Sequence, residues 1–111
     1  MAAKKDVLQK IVALKRQSVE QQVRTLQIEA EKIETSIRGL SANLLRMDEG
    51  AAGFEAHQLA EANGHVGKLL RDIDDAREAL RSKRAELDAA REALKRVFHS
   101  QERLGEAGPK G

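Results

Sequence analysis

Apolar side chains recur along this chain with a period of seven. Val12, Val19, Leu26, Ile33, Leu40 and Met47 stand seven residues apart, and Val23, Ala30, Ile37 and Leu44 interleave with them in a four-three alternation. After a break, Leu59, Val66, Ile73, Leu80, Leu87 and Leu94 repeat the spacing, with Ala62, Leu69, Ala76, Ala90 and Val97 three residues further on. A helix that keeps a strict seven-residue stripe over several heptads turns the stripe toward one partner helix, so the pattern predicts paired, left-handedly supercoiled helices rather than a globular core. Gly39 is the only glycine between Lys4 and Glu49, whereas Gly50-Ala51-Ala52-Gly53 interrupts the pattern. Asn63-Gly64 and Gly67 weaken the start of the second stretch, each glycine by about 1 kcal/mol relative to alanine. The expected fold is all-α, a long antiparallel two-helix coiled-coil hairpin over residues 1–104. Its helices are expected at about 4–49 and 68–104, with a loose tip at about 50–67 and a disordered tail at 105–111.

The two seams predict a register. Folding back near Gly53 sets Met47 opposite Leu59, Leu40 opposite Val66, Ile33 opposite Ile73, Leu26 opposite Leu80, Val19 opposite Leu87 and Val12 opposite Leu94. On one flank Glu20, Gln27 and Glu34 of the first helix are expected to face Arg77, Arg84 and Arg91 of the second. Each exposed pair contributes only about 0.2–1 kcal/mol, so such a row sets register more than stability.

Composition narrows the class. The 111 residues suffice for one domain, and with no Trp, no Tyr and two Phe they lack the aromatics that usually fill a globular core. The absence of cysteine excludes disulfides, thiolate metal sites and a cysteine nucleophile. No apolar run approaches ~18 residues, so stable membrane insertion is not expected. Met1-Ala2-Ala3-Lys4-Lys5 lacks an apolar signal core, which makes a cytoplasmic location the expectation. The net charge of +2, from 20 basic and 18 acidic residues, argues against a dedicated nucleic-acid binder.

Catalytic patterns are missing, so a non-enzymatic role without a cofactor or metal is expected. His57, His65 and His99 have no zinc-site spacing. Asp72-Ile73-Asp74-Asp75 lacks the alternating ligands and glycine of a calcium loop. Gly50-Ala51-Ala52-Gly53 is not followed by the Lys-Ser/Thr of a phosphate loop. The informative anomaly lies elsewhere. Val7, Ile11 and Leu14 follow helical spacing on outer heptad positions, away from the seam, among Lys4, Lys5, Lys10, Lys15 and Arg16. Phe98 and Leu104 reach the same end of the hairpin. Val7, Ile11, Leu14, Lys4, Lys10, Lys15, Phe98 and Leu104 are therefore the expected partner-binding residues.

Two stretches carry a resemblance. Val12-Ala13-Leu14-Lys15-Arg16-Gln17-Ser18-Val19-Glu20 resembles the start of the coiled-coil stalk proteins of type III export ATPases, the flagellar FliJ and injectisome YscO family. Leu94-Lys95-Arg96-Val97-Phe98-His99-Ser100-Gln101-Glu102-Arg103 resembles its end, and the likeness spans about residues 4–104. The resemblance implies a stalk inserted into a hexameric export ATPase. It also implies contacts to an export-gate membrane protein and to secretion chaperones, at the inner-membrane export apparatus, by a monomer or weak dimer. ATP chemistry would belong to the partner. Two other readings stand beside it. One is a scaffold or assembly chaperone that forms a four-helix bundle through Val7, Ile11, Leu14 and Ile28. The other is an RNA-binding helical arm using Arg77, Arg81, Lys83, Arg84, Arg91, Lys95 and Arg96, with Asp74, Asp75, Glu78, Glu86, Asp88 and Glu92 interleaved against a phosphate backbone.

Overall fold

The computed structural model describes residues 2–50 and 56–106, and among these every residue is helical. Helix α1 spans Ala2–Gly50 and helix α2 spans Ala56–Glu106, giving the all-α antiparallel hairpin that the heptads predict. Helix covers residue 50 and residues 56–67, where the glycines predict a loose tip, and it also takes in Gly105 and Glu106. The reason is cooperativity. A glycine costs about 1 kcal/mol, but interrupting a helix and nucleating a new one costs more than extending it through Gly64 and Gly67. The rest of the predicted tip, 51–55, and the tail from 107 lie outside the described residues.

The helices pack as two compact units, one formed by Met1–Ile28 with Arg84–Gly111 and the other by Glu29–Lys83. In the first unit the core is a cluster of Leu26, Leu87 and Ala90, with half-buried Val23 packed against it. Leu87, not Leu80, is therefore the partner of Leu26. The register lies one heptad beyond the one set by folding back at Gly53. In the second unit Ala30, Ile73 and Leu80 are the buried apolar residues, Ile73 at 3% exposure. There Lys83 Nζ lies 2.9 Å from Glu29 Oε2. Met47 shares a groove with His65, Lys68 and Leu69. Both observations again put α2 one heptad later than predicted. The layers expected at Leu59 and Ala62 rest on side chains outside those described.

Lys83 occupies a seam position between Ala76 and Ala90, at the level of buried Ala30. A lysine there covers a small neighbour with its methylenes and carries its ammonium out to the seam edge, where Glu29 receives it. Slipping the register by a heptad would separate the ammonium from Glu29, so the pair is expected to select one alignment at some cost in stability. Lys83→Leu should raise the melting temperature while doubling amide resonances as a second register becomes populated. A lower melting temperature with single resonances would show that Lys83 is a stabilising contact and not a register device.

On the predicted flank of three acceptors against three arginines, two of the residues take partners within their own helix. Glu20 takes its short contact from Arg16 on its own helix, and Arg91 approaches Asp88 one turn earlier at 4.0 Å. Arg81 with Glu78, and Lys95 with Glu92 at 3.7 Å, are likewise pairs within α2. Exposed pairs one turn apart form because their geometry is already supplied by the helix, with little extra ordering of side chains.

Candidate partner-binding surface

Helix α1 starts with an unusual charge order. Its first turn contains no acidic residue, and Lys4 and Lys5 stand where the positive end of the helix dipole disfavours cations. Each such placement costs a few tenths of a kcal/mol or more, so these lysines are not there to stabilise the helix. Behind them, Val7, Ile11 and Leu14 are all more than half exposed, Leu14 reaching 65%. Leu8, which the sequence reading passes over, is 50% exposed and widens the apolar surface. Its signal was available, since Leu8, Ile11 and Lys15 follow i, i+3, i+7 spacing.

The two flanks of the seam differ at this end. On one flank Arg16, itself in a seam position, closes the gap between the helices. Its Nε donates to Glu20 Oε1 at 2.8 Å and its Nη1 donates to Gln101 Oε1 at 3.1 Å. The guanidinium lies over the Phe98 ring, 4.4 Å from the centroid. A cation over an aromatic face contributes about 0.5–1 kcal/mol at an exposed site. Phe98 is thus engaged by Arg16, although it retains 38% exposure. Leu104 is half-buried, as its seam position dictates.

On the opposite flank the same stretch is open. Ile11, Val12 and Lys15 of α1 and Ala93, Arg96, Val97 and Ser100 of α2 line a groove between the helices. Val97 is 4% exposed and Val12 half-buried, so they form its floor. The groove exists because α2 places Ala93 and Ser100 at the flank positions where Glu86 stands one heptad earlier. Ser100 folds its hydroxyl back on its own helix, donating to the Arg96 carbonyl oxygen at 3.0 Å. The structure therefore gathers Ile11 and Lys15 into the groove, keeps Val7 and Leu14 on the outer face of α1, and sets Phe98 on the other flank. Ala93, Arg96 and Ser100 are additions that the sequence reading missed; the seven-residue recurrence of small residues at 93 and 100 is their only sequence signal.

Other candidate chemistry does not assemble. Among the described residues no three His, Asp or Glu side chains converge as a metal site. His99 Nδ1 lies 3.7 Å from Glu102 Oε2, one turn along the same helix. His65 lines a shallow groove with Asn43, Arg46, Met47, Lys68, Leu69 and Asp72. The side chain of His57 lies outside those described. No described helix is long and apolar enough to cross a membrane. No protein-family model, no curated protein and no solved structure matches this chain.

Proposed function

We infer that this chain is a non-catalytic hairpin subunit of a flagellar or type III protein-export apparatus. In this reading it acts on the cytoplasmic side of the inner membrane as the central stalk of a hexameric export ATPase. It also links that ring to an export-gate membrane protein and to secretion chaperones. The support is a resemblance over about residues 4–104 together with one observation. The end of the hairpin where α1 begins and α2 finishes carries exposed Val7, Ile11 and Leu14 among lysines that its own fold does not use. A stalk needs paired helices and an adhesive end, and the heptad seam provides the first. The decisive experiment mixes the purified chain with the purified export ATPase of the same cell. Co-elution with the hexamer and faster ATP hydrolysis are expected, and a ring that neither binds the chain nor responds to it overturns the reading.

A scaffold that pairs with itself is the second reading, favoured by Ile28. This residue is 46% exposed and continues the outer line of Val7 and Leu14 at multiples of seven. Light scattering separates the two, because a scaffold of this kind doubles its mass with concentration and a stalk stays monomeric.

A further inference from the structure

We propose that the groove between Ile11 and Ala93 is the docking site for an acidic amphipathic helix of a partner protein, which completes a three-helix bundle at this end. The proposal concerns the groove rather than the outer stripe of α1. It stands whether or not the partner is an export ATPase, and the stalk reading survives its failure if the ring binds through Val7 and Leu14.

The geometry favours a helix. The floor is apolar, from Val12 and buried Val97, and Ile11 and Ala93 flank it, so two helices already present the sides of a trough for a third. An amphipathic helix inserting an apolar stripe there would meet small residues on α2, which let its backbone come close. One heptad earlier along α2 the corresponding position holds Glu86, which would hold such a helix away.

The charges favour acidic flanks. Lys15 and Arg96 line the same groove from opposite helices, and neither forms an ion pair among the described residues. Two like charges gathered beside an apolar trough repel each other, and a partner with carboxylates on both sides of its stripe removes that cost. Lys4 and Lys5, placed against the α1 dipole, add to the positive charge at this end. A second copy of this chain is a poor occupant. A two-fold interface puts the same patch on both sides, so the positive charge of Lys15 and Arg96 would meet positive charge.

The test uses the full chain and two synthetic helical peptides with one leucine stripe, flanked on both sides by glutamates in one and by lysines in the other. The glutamate peptide should bind at least tenfold more tightly and shift the amide resonances of Ala93 and Ser100. The exposed pair Lys15→Glu and Arg96→Glu should invert the preference, and Ala93→Gln, which fills the trough with a good helix former, should weaken the glutamate peptide about tenfold. Circular dichroism checks that each variant keeps its helicity. Equal binding of the two peptides, a preference that survives the charge reversal, or shifts confined to the Arg16–Phe98 flank would overturn the proposal. So would a strong preference for vesicles of anionic phospholipid over either peptide, or self-association that Ala93→Gln abolishes.

Discussion

Leu87→Ala should destabilise the hairpin by about 2–3 kcal/mol, and Leu26→Ala by a similar amount, with the double variant losing less than the sum. Leu87 and Leu26 sit with Ala90 in one buried cluster, and neither is fully enclosed, at 7% and 8% exposure. Removing a buried leucine side chain to alanine costs about 2–5 kcal/mol, with the low end where the cavity opens to solvent. Two helices cannot enclose a layer on every side, which places these sites at that end. Side chains in contact couple by about 0.5 kcal/mol or more in a double-mutant cycle, whereas separated ones add. The cycle between Leu26 and Leu87 should therefore show coupling, and the cycle between Leu26 and Leu80 should be additive. Thermal or urea melts of the four variants in each cycle decide it. Coupling to Leu80 instead would restore the register centred on Gly53.

That register error shows what a heptad pattern contains. The stripe identifies which face of each helix is buried, and Leu26, Ala30, Ile73, Leu80, Leu87, Ala90 and Val97 are all buried as their positions require. A repeat of seven is unchanged by a slip of seven, so the stripe alone says nothing about which heptad meets which. Symmetric folding about Gly53 filled that gap with an assumption about the turn. Better signals were present on the flank. Glu20, Gln27 and Glu34 come level with Arg91, Arg84 and Arg77 only when Leu26 is opposite Leu87. With Leu26 opposite Leu80, Glu34 would reach the level of Leu70. Lys83 was a second signal, the one charged residue in a seam row otherwise made of leucine, valine and alanine. The candidate surface was legible to the same degree. Outer apolar positions at 7, 11 and 14 reveal excess hydrophobicity whatever the register is. Phe98 and the Ala93–Ser100 trough depend on which α1 residues stand across from them. Arg16 reaches Phe98 and Gln101 only in the later register, so this contact of Phe98 could be read only once the alignment was known.

The double substitution Ile11→Asp and Leu14→Asp should leave helicity nearly intact while weakening partner binding at least tenfold. Both side chains are more than half exposed in the hairpin, so neither contributes much to folding. Aspartate costs each site roughly 0.5 kcal/mol in helix propensity, partly offset by Lys15 lying four residues after position 11. On binding, each aliphatic side chain that becomes buried contributes about 1.5–3 kcal/mol, and the two together exceed the 1.4 kcal/mol that a tenfold change in affinity represents. The negative charges also cancel part of the basic field that would steer an acidic partner toward this end, so the association rate should fall and its salt dependence flatten. The single variants divide the surface, because Ile11 lines the groove and Leu14 points to the outer face. If Ile11→Asp carries most of the loss, the groove is the contact, and if Leu14→Asp carries it, the outer stripe is. Circular dichroism and partner affinity measured on the same samples check the whole argument. Loss of the helical signal would make these residues part of the core. Full affinity with full helicity would move the contact away from this end of the hairpin, because both positions that a partner would have to cover there would then be indifferent to a buried charge.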